Sequence, residues 1–332
     1  MFYQNKCTFC GECFDKCQYV TFDIDKSIEQ MREIVNGNVA EIVTECITCG
    51  ACNHYCPEDA NPFDLINEIQ ERTNCLEIPE ESLLMMGSAS QMPSEIIKGE
   101  PNKPLISLCA VGDIIPGLFD GAIFEGMNFV KGGDYFCRIG FNHLGIESPV
   151  RDGASRFIEN LSSLGHDEII FFHDDCYALL NYKAKEYGID IPFKFVHIIE
   201  FLRDYVKSNF EKINPINMKI AYQQPCASWC SMEKDTILDD FFSLVGATRL
   251  PRKYDKELGS CCGSPYMPRD REKGRAVRNR NIKDAKEYGA ESIVYLCPIC
   301  YMSMKKGASE NNMRSLHLIH LAKIAIGEEI PI

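Results

Sequence analysis

Five cysteines in the last third of the chain do most to limit what it can fold into: Cys226, the adjacent pair Cys261 and Cys262 with Gly263 after it, and Cys297 with Cys300. Thirty-four residues separate Cys226 from the pair, and thirty-four separate the pair from Cys297. Each interval is long enough for a strand–helix unit, and such units return their loop ends to one place. Neighbouring cysteines can hardly pair with each other without strain. Thiolates on adjacent residues can, however, bind neighbouring irons of one cluster. The pattern points to an unusual iron–sulfur cluster and away from structural disulfides, which belong to oxidising compartments.

In these residues the chain resembles the family that carries the CCG domain, best known from the catalytic B and D subunits of heterodisulfide reductase. Gln224-Pro225-Cys226 after a strand, Cys261-Cys262-Gly263 and Cys297-Pro298-Ile299-Cys300-Tyr301 carry the likeness, which runs from residue 104 or so to the C-terminus. The resemblance implies that Cys226, Cys261, Cys262, Cys297 and Cys300 hold a noncubane [4Fe-4S] cluster at which a disulfide is cleaved, in anaerobic metabolism such as methanogenesis. Spacing by itself shows only a metal or cluster site.

A second, independent signal lies near the start. Cys7, Cys10, Cys13, Cys17 and Cys46, Cys49, Cys52, Cys56 each repeat C-x2-C-x2-C-x3-C. In two-cluster ferredoxins the first three cysteines of each run bind one cubane and the fourth crosses to the other. Cys7, Cys10, Cys13 and Cys56 are therefore assigned to one [4Fe-4S] cluster, and Cys46, Cys49, Cys52 and Cys17 to a second; this spacing argues against zinc ribbons. Proline follows the second run as Pro57, whereas Gln18 follows the first. Ile28, Met31, Ile34 and Val35 fall at helical spacing within 27–43, and another helix is expected after Pro62. The domain resembles the all-helical ferredoxin type of small subunits in heterodisulfide reductase, succinate dehydrogenase and glycerol-3-phosphate dehydrogenase.

The rest of the chain repeats itself. Residues 165–172 before His173 and Cys176-Tyr177 match residues 289–296 before Cys297 and Cys300-Tyr301. Val196-His197-Ile198-Ile199 matches Leu316-His317-Leu318-Ile319, and the strand before Cys109 matches the strand before Cys226. Apolar β-rich runs alternating with helical patterns predict mostly parallel sheets. The expected fold is multidomain, α and α/β: a helical ferredoxin-type domain over 1–76, a linker over 77–104, and two Rossmann-like CCG repeats over 105–215 and 216–332. Cysteines then fall at strand ends, where open α/β sheets place ligands.

The first repeat has lost ligands. Phe136-Cys137-Arg138 stands where the second has Cys261-Cys262-Gly263, and His173-Asp174-Asp175-Cys176 stands where the second has C-x-x-C. What survives is Cys109, Cys137, His173 and Cys176. Three readings fit: a tetrahedral zinc shell, a further [4Fe-4S] cluster with one histidine ligand, or a vestige packed as core.

Composition narrows the partners. A net charge of −13 disfavours nucleic acid. One stretch runs the other way, Arg269, Arg271, Lys273, Arg275, Arg278, Arg280 and Lys283, and reads as a solvated helix face or as an anion-binding wall beside the cluster. No leader and no apolar span is evident, so a cytoplasmic, oxygen-sensitive protein is expected, reaching a membrane only through a partner. No dinucleotide or P-loop fingerprint occurs, so electrons must come from another protein. The resemblance implies a hetero-oligomer with a flavoprotein A-type subunit or a membrane cytochrome b subunit, and a substrate such as the coenzyme M–coenzyme B heterodisulfide. Two functions stay open: reduction of a low-molecular-weight disulfide, with Tyr301, Tyr177, His173 and His317 as candidate proton donors, or electron relay without substrate chemistry.

Overall fold

Short runs of β-branched and aromatic residues become nine strands in the computed structural model, which describes residues 1–330: β1 (Glu95–Ile97), β2 (Leu105–Ser107), β3 (Asn128–Lys131), β4 (Glu168–Phe171), β5 (Lys194–His197), β6 (Met218–Gln223), β7 (Ala247–Arg249), β8 (Ser292–Tyr295) and β9 (Arg314–His317). They form one sheet of order β1-β3-β2-β4-β5 and another of order β7-β6-β8-β9. All neighbours run parallel except β1, an antiparallel edge on β3. Without β1 the two sheets have one strand order, so the repeat in sequence is a repeat in structure, with Rossmann-like topology. β2 and β8 are buried along their whole length, as parallel strands covered on both faces must be.

The stretch 77–104 supplies β1 and a helix over Glu80–Ser88, so part of the expected linker belongs to the first sheet. The two repeats share a core containing Phe172, Leu202, Phe241, Leu296 and Leu318. His197 and His317 end matching strands and cap the helices that follow: each Nδ1 accepts a backbone N–H, from Ile199 at 3.1 Å and Ile319 at 3.2 Å. Burial pulls both imidazoles down to about 3, so they stay neutral acceptors. Cap duty, and a 2.6 Å contact from His317 Nε2 to the Leu296 carbonyl, removes His317 from the proton-donor candidates. Among the described residues no helix is long and apolar enough to cross a membrane.

The N-terminal domain is helical. Ile24–Val35, Glu41–Glu45 and Pro62–Thr73 pack Phe14, Ile34, Val43 and Ile69 into a core without strands. It docks against the second repeat through the helix Arg271–Glu287 and the loop before it. Arg269 donates to the carbonyls of Thr44 (3.0 Å) and Cys46, Lys273 pairs with Glu45 at 2.5 Å, and Arg280 donates to the Gln18 carbonyl at 3.2 Å. Only part of the basic stretch is a solvated face, with Arg271 and Arg275 exposed. Arg269 and Arg280 grip carbonyls of the N-terminal domain, Lys273 pairs with Glu45, and Arg278 donates to the Cys262 carbonyl at 3.3 Å within its own repeat. Gln18 has a role of its own: its amide donates to the Leu258 carbonyl at 2.8 Å, which a proline there could not do.

Arg252 pins the second repeat internally. Its guanidinium, 1% exposed, reaches Asp284 at 3.0 Å, Asn281 at 2.7 Å and the Tyr222 carbonyl at 2.8 Å. Arg252→Ala leaves Asp284 buried without its partner and is expected to cost about 3–5 kcal/mol, read as a lower midpoint in anaerobic denaturant unfolding.

Candidate functional site

The ferredoxin-type cysteines gather in the crossed groups expected from their spacing. Cys7, Cys10, Cys13 and Cys56 line one void, and Cys17, Cys46, Cys49 and Cys52 line another. Burial raises the Cys13 thiol, and Cys56, Cys10 and Cys7 beside it raise it further. Burial likewise raises Cys52, with Cys46, Cys13, Cys49 and Cys17 adding to it. Thiols crowded this way are poor free thiols and good ligands, because a metal replaces the proton. Arg280 lies near Cys17, and its Nε and Nη2 have no partner though buried, which suits an anionic occupant of the void.

The five CCG cysteines stand at the C-terminal ends of β6, β7 and β8. Cys226 Sγ lies 3.8 Å from Cys261 Sγ. Cys261 also interacts with Cys262, Cys262 with Cys300, and Cys300 with Cys297. Cys300 beside it draws Cys297 down to about 6, and His173 helps. No three of the five lie within the reach of one ion. The thiols form a chain of neighbours, which fits a multi-iron occupant better than a single metal. Gly263 is needed here: its φ is 81°, and a Cβ would sit 2.1 Å from the Gly274 carbonyl oxygen.

The first-repeat residues occupy the corresponding strand ends, and there the geometry differs. The ligand atoms of Cys109, Cys137, His173 and Cys176 all lie within 4.8 Å of one another, and all four residues are buried. Cys109 and Cys137 sulfurs are 4.0 Å apart, and Cys176 Sγ is 3.9 Å from His173 Nδ1. Zinc–sulfur bonds of about 2.3 Å in a tetrahedron place thiolates ~3.8 Å apart. Four irons would spread them further. Burial raises the Cys109 thiol, but Cys137, Cys176 and His173 outweigh it and hold it well below the ordinary thiol range, ready to ligate.

A cavity of about 240 Å³ lies where the three units meet. Cys226 is the one CCG cysteine on its wall, and Cys49 of the ferredoxin-type domain stands on the same wall. Tyr19 bridges the two sites from behind: its hydroxyl accepts from the Cys261 N–H at 2.8 Å. The order in space is thus the Cys7 group, the Cys17 group, then the CCG site with the cavity beside it. Tyr177, Tyr301 and His173 do not line this cavity, so none of the candidate donors faces it. Cys230 and His54 do line it, and His54 stacks on Trp229 with ring centroids 5.4 Å apart. Asp174 was also not foreseen: both its carboxylate oxygens are buried without partners, and burial, with Cys297 and Asp175 nearby, raises it well above the usual carboxylate range.

Residues 6–61 match the 4Fe-4S dicluster domain family, and residues 220–305 match the cysteine-rich domain family CCG. The D subunit of the dihydromethanophenazine:CoB–CoM heterodisulfide reductase of Methanosarcina barkeri is 25% identical over 207 residues, which is 59% of this chain and 49% of that protein. The chain therefore matches about half the length of this curated relative. A hypothetical protein of Helicobacter pylori with a solved structure aligns with a TM-score of 0.61 and 16% identity, over 92% of this chain and 64% of that one, and shares the fold. With a 4Fe-4S dicluster domain ahead of a CCG domain, the chain is an iron–sulfur protein similar to the D subunit of heterodisulfide reductase.

Proposed function

We propose that this chain is the iron–sulfur subunit of a heterodisulfide reductase-like complex, and that it reduces a low-molecular-weight disulfide at the cavity beside Cys226. Two [4Fe-4S] clusters would be held by Cys7, Cys10, Cys13 and Cys56 and by Cys17, Cys46, Cys49 and Cys52, and a noncubane cluster by Cys226, Cys261, Cys262, Cys297 and Cys300. When bound, these groups supply single electrons. Reduction of RSSR takes two electrons and two protons, breaks one S–S bond and forms two S–H bonds.

The observation that carries the reading is the cavity itself, with Cys226 and Cys49 on one wall. The protein's own contribution is placement. The Arg269, Lys273 and Gln18 contacts hold the ferredoxin-type domain against the CCG loops, and Trp229 and Tyr182 stand on the cavity wall as apolar cover. Electrons arrive from a flavoprotein or a membrane cytochrome b subunit, which places the chain in the cytoplasm or at the membrane face of such a complex. Cys109, Cys137, His173 and Cys176 hold one zinc ion that organises the first repeat. That single-ion geometry favours one alternative, a relay subunit without substrate, because it leaves only one multi-iron CCG site.

Anaerobic EPR of the oxidised protein with and without small thiols separates the two. A new paramagnetic signal on thiol addition, absent in Cys262→Ala, is the expected result. An unchanged spectrum from fully loaded protein assigns the relay.

A further inference from the structure

The sites of the two repeats touch through one pair of residues. His173 follows β4 and Cys297 follows β8, and the match between the repeats puts the two at equivalent positions. Phe172 and Leu296, the residues before them, lie in the core that the repeats share, so the strand ends carrying the pair are fixed against each other. A ring nitrogen of His173, a carboxylate oxygen of Asp174 and Cys297 Sγ all lie within 4.8 Å of one another. His173 is thus a member of the first-repeat ligand set and a neighbour of a CCG cysteine.

Its two nitrogens face different tasks. Nδ1 stands 3.9 Å from Cys176 Sγ, in the single-ion site. Nε2 is buried without a hydrogen-bond partner, and Asp175 Oδ2 comes to 3.4 Å without accepting from it. A histidine that binds metal through one nitrogen keeps its proton on the other and donates it to a further group. The three cysteines of the set have no second polar side-chain atom to offer. Cys297, as a cluster ligand, must be a thiolate, and Cys300 first and His173 after it favour that form. Asp175, the competing acceptor, stands on the cavity wall, where water can satisfy it.

We propose that His173 ties the two metal sites together, binding the first-repeat ion through Nδ1 and donating its Nε2–H to Cys297, so that the degenerate site sets the reduction potential of the CCG cluster. The inference rests on the zinc and cluster assignments proposed above. A donor on a ligand sulfur draws charge off it and favours the reduced cluster. Burial strengthens that effect. The first-repeat ion then serves electron transfer whether the chain reduces a disulfide or only relays.

His173→Cys tests this, because four thiolates still suit zinc while the N–H is gone. The fully loaded chain is compared anaerobically by protein-film voltammetry, by zinc and iron analysis, and by pulsed EPR after labelling histidine with nitrogen-15. The wild type is expected to show a histidine nitrogen coupled to the CCG cluster, and the variant to lose it with zinc and iron unchanged. One-electron reduction of that cluster should become about tenfold less favourable, a fall of ~59 mV, while the two ferredoxin-type clusters keep their potentials. An unchanged potential in a variant that retains zinc overturns the inference. So does a wild type without nitrogen coupling, even if the variant's potential falls, since an added thiolate charge alone would lower it; this measurement needs no variant to fold. The metal analysis separates the underlying assignments. Wild type without zinc, or short of iron for a third cluster, sinks the inference together with the metal assignment, whereas full metal content without coupling sinks the link alone.

Discussion

Replacing Lys183 by methionine is expected to lower the unfolding free energy by about 3–5 kcal/mol, the cost of stranding a buried charge. Lys183 sits on the π-helical stretch Leu179–Lys183 of the first repeat, with its side chain 6% exposed. Asp64 comes from the helix Pro62–Thr73 of the N-terminal domain, and Glu147 from the start of the helix Ser148–Ser162. Tyr182 donates to Asp64 at 3.1 Å and Tyr187 to Glu147 at 2.7 Å, and the Met1 ammonium pairs with Asp64 at 3.2 Å and Glu186 at 2.5 Å, so the carboxylates are held around the buried Lys183 ammonium and the more exposed Met1 one. Methionine keeps most of the volume and removes the charge, leaving Glu147 without a cation and Asp64 and Glu186 with only the exposed Met1 ammonium. The fall should appear in the midpoint of anaerobic guanidinium unfolding, and adding Asp64→Asn should recover part of it. A loss no greater than that of an exposed lysine variant would remove this network as the pin between domains.

The pH dependence of that pin follows from its two signs. Burial lowers Lys183, but Asp64, Glu147 and Glu186 outweigh it and raise it well above its ordinary value. Its contribution is full below the unfolded lysine value of about 10.4 and is lost as pH rises through the higher folded value. Asp64 is depressed, so its contribution is full above about 3.9 and is lost as pH falls through the lower folded value. Between these limits the pin should be insensitive to pH.

Cys137→Ala is expected to remove one zinc per chain while leaving iron unchanged, measured together by inductively coupled plasma mass spectrometry on anaerobically purified protein. The four ligand atoms sit at single-ion distances, and removing one opens the tetrahedron. Structural zinc contributes directly to folding, on the order of 10 kcal/mol in small domains that depend on it. In this larger repeat, backed by Phe157, Leu161, Ile169 and Phe171, the loss should be a fraction of that and still several kcal/mol. A fall of about four irons instead of one zinc would mean that the site holds a cluster of the cubane kind.

Local chain geometry made much of this protein legible in advance. The ferredoxin spacing records how a short loop and helix wrap a cluster, and the crossed groups Cys7/Cys10/Cys13/Cys56 and Cys17/Cys46/Cys49/Cys52 do share separate voids. The matched runs around Cys176 and Cys300 foretold two sheets of one strand order, because each strand and its following helix are specified by residues close in sequence. What is local in physics is local in sequence.

Contacts between units were not legible, because no spacing along the chain encodes them. The basic stretch after Cys262 looks like a solvated face until the N-terminal domain brings the carbonyls of Gln18, Thr44 and Cys46 to it. Gln18 looks like a lapse from the ferredoxin pattern until Leu258 supplies its acceptor. Zinc and cluster were both open readings of Cys109, Cys137, His173 and Cys176 because both take the same ligands; the distances between these residues, which follow β2, β3 and β4, favour the single ion. The sequence by itself determined the candidate ligands, the repeat and the fold class, through patterns a few residues to one strand–helix unit long. Only the tertiary structure decided which ligands converge and where the cavity lies, since these depend on how sheets and domains pack across hundreds of residues.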